Sequence, residues 1–277
     1  MSVRRLRIGH SPDADDALMI WPLVAGRVAI PGFTCEAVPQ DIESLNQRAR
    51  SAELEVTAMS AGAYPYLCRR YRIMHCGASF GLGYGPIVVA NRETRLEALA
   101  GARIAVPGEW TTAYLVARLL LPAFEPVQYD FDAVAGAVTS GAAAAGVLIH
   151  EGQITYAAHG LVKLLDLGAA WHEETGLPLP LGLDCVRRDL GERACEEVAR
   201  ARADGIRYAL DHLTEAVAYA NSFGRGLDAA TVERFALMYV NQLTTDMGEV
   251  GRQALSTLYA RAHAGGLIPA VPPIDLA

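Results

Sequence analysis

Strand-like and helix-like segments alternate along much of the 277-residue chain, and this alternation limits the fold more than any other feature. Short apolar runs such as RRLRIGH, ARIAVPG and AGVLIH are typical of strands, whereas DDALMIWPLVAG and WTTAYLVARLLL are typical of helices. Strands and helices in this order form parallel or mixed sheets with helices on both faces. The sequence therefore predicts an α/β fold, with an almost wholly helical segment from GERACEEVARA onward.

The chain length suits two α/β domains. The βα units of residues 91–187 would form a smaller domain, and residues 1–90 with 188–277 would form a larger, discontinuous one. The chain would then pass between the domains twice, near YGPIVVA and near PLPLGLDC. Two domains joined in this way enclose a cleft that can open and close, and a ligand would lie there at the carboxyl ends of strands.

The charge and cysteine patterns exclude several classes of function. A formal net charge of −7 argues against nucleic-acid binding, which needs a basic face, and no apolar run is long enough to cross a membrane. Lys163 is the only lysine, so Schiff-base chemistry would depend on it alone. The five cysteines form no CxxC pair, and the N-terminus lacks the apolar region of a secretory signal. These features predict a cytoplasmic protein with reduced thiols, and they leave its oligomeric state open, with a homodimer as one option.

The segment AGVLIHEG places a histidine and a glutamate at the exit of a buried strand. There the imidazole of His150 would be positioned for general acid–base chemistry near neutral pH. The alternative is a histidine that is satisfied by a neighbouring carbonyl or exposed in a loop. Glu151 could orient His150, although a glutamate at such a position more often faces solvent.

A helix start in VPGEWTTAYL is a second candidate site. The strand ends at Gly108, and a helix begins near Thr111 or Thr112. Free N–H groups at a helix start, together with threonine hydroxyls, form an anion site that suits a small carboxylate ligand. Ordinary N-capping by threonine is the competing interpretation.

The segment SPDADD follows the first strand and precedes a helix. Ser11 could cap this helix or contact a ligand, and we take it as a candidate ligand contact. Asp13, Asp15 and Asp16 lie where the helix dipole stabilises negative charge by about 0.3–1 kcal/mol per exposed residue. Three acids without the spacing of a calcium loop give little support to a metal site.

These segments, taken in order, resemble the 1,4-dihydroxy-6-naphthoate synthases of the futalosine route to menaquinone. The resemblance covers nearly the full chain and includes SPDADD, DIESLNQRA, VTAMSAGAYPYL, GLGYGPIVVA, VPGEWTTAYL, GVLIHEGQITYAAHGL, DLGAAWHEETGLPLPLG and YVNQLTTDMGEVG. The ordered set is far more specific than any single segment.

The resemblance implies a two-domain fold like that of type II periplasmic binding proteins, here in a cytosolic enzyme. It implies a lyase that cleaves cyclic dehypoxanthine futalosine into the naphthoate and a small sugar-derived fragment, without cofactor or metal. The catalytic histidine of the family falls on His150. Its ligand contacts fall on Asn46, Ser60, Thr111 and Thr112.

The chain departs from the family pattern in two places. The first loop of the family usually carries Ser-Pro-Cys-Pro-Asn-Asp, whereas this chain has Asp13 and Asp15 at the cysteine and asparagine positions. Where the family can carry a lysine, this chain has Ala58 and Met59. Two other functions remain as alternatives: a non-catalytic binding protein for a small carboxylate, and the related chorismate dehydratase of the same pathway.

Overall fold

The computed structural model describes residues 3–223 and 228–277. The strands within them are β1 (Arg4–His10), β2 (Phe33–Pro39), β3 (Val56–Ser60), β4 (Tyr71–Ile73), β5 (Ser79–Gly81), β6 (Ile87–Ala90), β7 (Arg103–Val106), β8 (Glu125–Gln128), β9 (Ala145–Leu148), β10 (Val162–Asp166) and β11 (Leu179–Arg187). The helices are α1 (Ala14–Val24), α2 (Ile42–Ala49), α3 (Tyr64–Leu67), α4 (Thr112–Leu120), α5 (Val134–Thr139), α6 (Gly152–Thr155), α7 (Leu167–Thr175), α8 (Glu192–Asp211), α9 (Leu213–Asn221), α10 (Ala229–Tyr239), α11 (Gln242–Thr245) and α12 (Gly248–Ala264). Short 3₁₀ helices cover Leu96–Leu99, Tyr156–His159 and Arg188–Leu190.

The first sheet has six strands in the order β2-β1-β3-β11-β4, with β5 paired to β11. Strand β1 runs parallel to β2 and β3, whereas β11 runs antiparallel to β3, β4 and β5. Helix α1 is apolar almost all round and nearly every residue in it is buried, because α8, α9 and α10 enclose it. This packing fixes the loop between β1 and α1, which carries the SPDADD segment.

The second sheet has five strands in the order β10-β6-β9-β7-β8. Strand β7 runs parallel to β8 and β9, whereas β6 runs antiparallel to β9 and β10. Every residue of β6 and β9 is buried, as expected for short apolar strands in the middle of a covered sheet. The α/β fold class predicted from the alternation is confirmed.

Two strands lie next to the predicted domain boundaries after residues 90 and 187. The prediction assigned all of residues 1–90 to the larger domain, but β6 pairs within the second sheet. It assigned 91–187 to the smaller domain, but β11 pairs with β3 in the first sheet. The chain therefore passes between the sheets just before β6 and just before β11, at the segments YGPIVVA and PLPLGLDC, and the domain bounds themselves stay a prediction.

One hydrophobic core joins the two sheets on one side. It includes Met59 of β3 and Leu183 of β11 from the first sheet, and Val88 of β6 and Val147 of β9 from the second. Helices α4 and α12 contribute to the same core, which therefore holds the sheets together along this side. None of the helices in the described part of the chain combines the length and hydropathy needed to span a bilayer.

Candidate active site

A cleft with an empty volume of about 690 Å³ lies between the two sheets. Its walls include residues that follow or end β1, β3, β7 and β9, so the carboxyl ends of strands from both sheets meet there. This is the position at which open α/β sheets bind ligands. The predicted residues that line the cleft are Ser11, Ser60, Thr111, Thr112 and His150.

His150 follows β9 and adopts a left-handed backbone conformation with φ of 51°. Such a conformation is uncommon for a residue with a side chain, and it persists at functional sites where the surroundings hold it. The ring lies edge-on to Phe131, with 5.1 Å between centroids. Its Nδ1 lies 2.7 Å from Oδ2 of Asp13. The buried strand therefore delivers a histidine whose ring is oriented by a carboxylate on the opposite sheet.

Asp13 has a partner for each carboxylate oxygen. It caps the N-terminus of α1 by accepting a hydrogen bond from the Asp16 N–H at its Oδ1, 3.3 Å away, and its Oδ2 meets His150. Burial opposes its ionisation, but the positive charge of His150 and the hydrogen bond outweigh that cost and hold the pKa of Asp13 well below its ordinary value. A carboxylate on Nδ1 selects the tautomer with the proton on that nitrogen, so Nε2 is the basic atom of the neutral ring.

Gln153 and Tyr239 close one end of the cleft, and the sequence pattern did not indicate either. The Tyr239 hydroxyl on α10 and the Gln153 side-chain amide on α6 lie 2.7 Å apart. With the amide oriented so that both of its ends meet suitable partners, its nitrogen donates to the Gly85 carbonyl at 2.6 Å and its oxygen accepts from the His150 N–H at 3.2 Å. Gln153 therefore supports the left-handed backbone of His150.

Asn46 does not line the cleft, although the resemblance placed a ligand contact there. It is fully buried on α2, where its Nδ2 donates to Ser60 Oγ at 3.0 Å and its Oδ1 accepts from the Ser60 N–H at 2.9 Å. Ser60, at the end of β3, is the residue of the pair that faces the cleft. The structure thus supports a positioning role for Asn46, with any direct contact made by Ser60.

The threonine hydroxyls at the start of α4 are already hydrogen-bonded within the protein. Thr111 is the N-cap, and its Oγ1 accepts from the Tyr114 N–H and donates to the Gly108 carbonyl. Thr112 Oγ1 accepts from the Gly62 N–H at 3.0 Å and donates to the Leu181 carbonyl at 2.6 Å. The predicted anion site therefore depends on the first-turn N–H groups of α4, which have no carbonyl acceptor within the helix.

Replacement of Thr112 by valine is expected to lower the free energy of unfolding by about 1–2 kcal/mol. Valine keeps the shape but leaves the Gly62 N–H and the Leu181 carbonyl without their partner across the cleft. Urea unfolding at equilibrium measures the change, and Thr112→Ser, which retains the hydroxyl, is the matched control. Equal stability of the valine and serine variants would show that this bridge does not hold the two sheets together.

Asp15 and Asp16 form an acidic cluster with Asp13, in which oxygens of all three carboxyl groups lie within 4.8 Å of one another. Asp16 accepts a hydrogen bond from the Ser11 N–H at 2.7 Å. Burial, together with the charges of Asp13 and Asp184, raises the pKa of Asp16 to about 8. The spacing alone is also compatible with a cation, but both oxygens of Asp13 already have protein partners.

A buried ion pair lies behind the acidic cluster and was not predicted. Arg202 of α8 donates to Asp184 of β11, with 2.6 Å between Nε and Oδ2, and both side chains are almost completely buried. Removal of one member of such a pair strands the other charge in the interior. Asp184 lines the cleft, so the pair fixes part of its floor.

Two α/β units that enclose a ligand-sized cleft at the carboxyl ends of their strands define the class of periplasmic-binding-protein-like proteins. The periplasmic aliphatic sulphonate-binding protein of Escherichia coli shares this fold, with a TM-score of 0.66 at 12% identity over 99% of this chain and 91% of that protein. This chain belongs to the menaquinone biosynthesis family, whose model matches residues 6–264. The resemblance and the periplasmic-binding-protein-like fold are both confirmed.

Two curated relatives carry the name 1,4-dihydroxy-6-naphthoate synthase. The protein from Thermus thermophilus is 40% identical, covering 96% of this chain and 97% of its own length. The protein from Streptomyces coelicolor is 37% identical over 100% of this chain and 99% of its own. A crystal structure of a protein from Archaeoglobus fulgidus is 49% identical with a TM-score of 0.90, covering 95% and 98% of the two chains.

Proposed function

We propose that this protein is a cytoplasmic lyase that converts cyclic dehypoxanthine futalosine to 1,4-dihydroxy-6-naphthoate. Its relatives named as naphthoate synthases match it over nearly its full length, which supports this activity. The observation that carries the proposal is the His150–Asp13 pair, held at 2.7 Å inside the cleft between the two sheets. The reaction needs a base in a cleft with an anion site, and it uses no cofactor.

The two walls of the cleft suit the two ends of this substrate. The carboxylate of the aromatic portion would bind the first-turn N–H groups of α4, beside Thr111 and Thr112. His150 would then remove the proton of a ring hydroxyl, whose O–H electrons would form a carbonyl as the adjacent carbon–carbon bond breaks. The electrons of that bond would leave with the departing carbon, which would then take up a proton. Asp13 would stabilise the imidazolium that forms when His150 accepts that proton. Ser60, held by Asn46, and Ser11 lie on the same wall as the acidic cluster and would contact the hydroxylated portion.

A non-catalytic binding protein for a small carboxylate is the second candidate, because proteins of similar fold include ligand-binding components of transporters. Such a receptor would need the anion site alone. The left-handed backbone of His150 and its carboxylate partner have no role in binding a carboxylate, so they favour the enzyme. Chorismate dehydratase activity would use the same cleft. Only the substrate that the protein turns over distinguishes it from the proposed activity.

The direct test is incubation of the purified protein with cyclic dehypoxanthine futalosine and detection of the naphthoate by mass spectrometry. Chorismate is supplied in a parallel reaction. Formation of the naphthoate, lost in the His150→Asn variant, supports the proposal. Turnover of chorismate instead would identify the protein as a chorismate dehydratase. Tight binding of the naphthoate without turnover of either compound would identify a binding protein.

Size-exclusion chromatography with light scattering tests whether the protein is a homodimer.

A further inference from the structure

We propose that Asp15 works as a neutral carboxylic acid that donates a hydrogen bond to Asp13 and accepts one from a hydroxyl group of the substrate. Asp15 would thereby determine specificity for a hydroxylated, sugar-like portion. This inference rests on the proposed function for the identity of the substrate. The state of the Asp15 carboxyl can be tested on the protein alone.

The position of Asp15 points to a ligand. The residue lies in the first turn of α1 and lines the cleft, yet only 7% of its surface is exposed. Within the described part of the chain its Oδ1 has no hydrogen-bond partner. A buried oxygen without a hydrogen-bond partner destabilises the folded protein by about 1–3 kcal/mol. We therefore expect a bound molecule to donate a hydrogen bond to this oxygen.

The charges around Asp15 keep its carboxyl protonated. The titratable groups of its surroundings are Asp13 and Asp16 beside it, His150 after β9, Tyr84 before β6 and Tyr239 at the end of α10. His150 is the one group among these described neighbours that can carry a positive charge, and Asp13 already pairs with it. A second full negative charge next to Asp13 would have no counter-charge in a buried site.

The pKa of Asp15 is shifted in the direction that its buried position beside Asp13 predicts. Burial, followed by the charge of Asp13 and that of Asp16, raises the pKa of Asp15 well above its ordinary value of 3.8. A hydrogen bond between the two carboxyl groups acts in opposite directions on them, raising the pKa of Asp15 and lowering that of Asp13. One proton therefore belongs to Asp15, and the carboxylate belongs to Asp13.

A neutral carboxyl has one donor and an acceptor oxygen to offer. With its proton directed to Asp13, Asp15 keeps Oδ1 as an acceptor, and this buried oxygen without a partner among the described residues belongs to a side chain that lines the cleft. A substrate hydroxyl is a donor and fits this oxygen, whereas a substrate carboxylate would meet Asp13 and be repelled. The cleft therefore orients its ligand, with hydroxyls toward α1 and the carboxylate toward the start of α4.

Asparagine has the same pair of groups as the neutral acid, so the test compares Asp15→Asn with Asp15→Leu. The asparagine variant is expected to keep kcat/KM for cyclic dehypoxanthine futalosine within about threefold of wild type. The leucine variant is expected to lose about 3- to 10-fold, mainly through KM, because one neutral hydrogen bond to the ligand is lost. As pH rises and Asp15 ionises, KM of wild type should increase, while that of Asp15→Asn should not. Asp132→Asn, an exposed change of the same kind, should match wild type throughout.

Stability tests the protonation state without substrate. A raised pKa in the folded protein means that the folded state retains a proton that the unfolded chain releases above pH 3.8. Wild type should therefore lose stability relative to Asp15→Asn as pH rises from 3.8 toward the folded pKa. The melting temperature of the asparagine variant minus that of wild type should grow across this range. The carboxylic-acid infrared absorption at neutral pH should be smaller in Asp15→Asn than in wild type, in which Asp16 also keeps its proton.

Three results would overturn the inference. The first is a loss of kcat/KM in Asp15→Asn as large as that in Asp15→Leu, since it would show that the ionised form is needed. The second is a melting-temperature difference that does not change with pH. The third is a change of wild-type activity or stability on treatment with EDTA, which would make the acidic cluster a cation site. If wild type does not turn over the substrate, the proposed function fails, and the stability comparison still decides the state of Asp15.

Discussion

Replacement of His150 by asparagine is expected to lower kcat for naphthoate formation by about 10²- to 10⁴-fold, the usual contribution of a general base. Asparagine is the suitable replacement because it tolerates the left-handed backbone that His150 adopts at φ of 51°. An alanine there would add backbone strain to the loss of the base. Stopped-time assays with mass-spectrometric detection of the naphthoate measure the change.

The matched control is His263→Asn, the same substitution at an exposed position on α12. It should leave kcat and KM at wild-type values. Binding of the naphthoate to His150→Asn, measured by calorimetry, should stay within a few-fold of wild type because the proposed anion site is formed by the start of α4 and does not include the His150 ring. A variant at position 150 that turns over within a few-fold of wild type would show that His150 is not the base.

The alternation of apolar and amphipathic runs was sufficient to predict the fold class and most elements. It did not show the partner of each strand: IVVA pairs antiparallel with β9, and LPLGLDCVR pairs antiparallel with β3. A single sequence shows that such runs are strands, but it does not show their neighbours, because pairing is a long-range choice.

The place of the cleft could be predicted from the ends of strands in the sequence. Ser60, Thr111 and His150 were expected there, and the structure places them in its lining. The roles of individual groups were harder to predict. Acids at a helix start usually serve the helix, so nothing in SPDADD distinguished Asp13 as the partner of a histidine that lies 137 positions later in the chain. The Thr112 hydroxyl is engaged by Gly62 and Leu181, which only the tertiary structure could show.

The departure of this chain from the family's usual first loop has a physical interpretation in the structure. The resemblance places an asparagine where this chain has Asp15. A carboxylic acid that stays neutral has the same hydrogen-bonding groups as that amide. Asp13 stands where the family usually has a cysteine, and here a carboxylate gives His150 a fixed partner. The two substitutions are therefore coupled, because the charge on Asp13 is one reason that Asp15 keeps its proton.

Replacement of Asp13 by asparagine is expected to lower kcat by about 10- to 100-fold, the loss of one charge-assisted hydrogen bond to the imidazolium. Asparagine is as good an N-cap as aspartate, so α1 should keep its start. The control is Asp41→Asn on α2, an N-cap that accepts from the Ser44 N–H and has no histidine partner. Its kinetics should equal those of wild type.

A double-mutant cycle separates orientation of His150 from any independent role of Asp13. If Asp13 acts only through the 2.7 Å contact with His150, the double variant Asp13→Asn, His150→Asn should be no slower than His150→Asn. The comparison is of kcat for naphthoate formation at saturating substrate, with each variant's melting temperature measured beside it. A double variant slower by the full factor of the Asp13 substitution would mean that the carboxylate contacts the substrate directly. Equal rates of the double variant and His150→Asn would show that Asp13 and His150 act as one unit. In that unit the β1–α1 loop supplies the charge and the residue after β9 supplies the base.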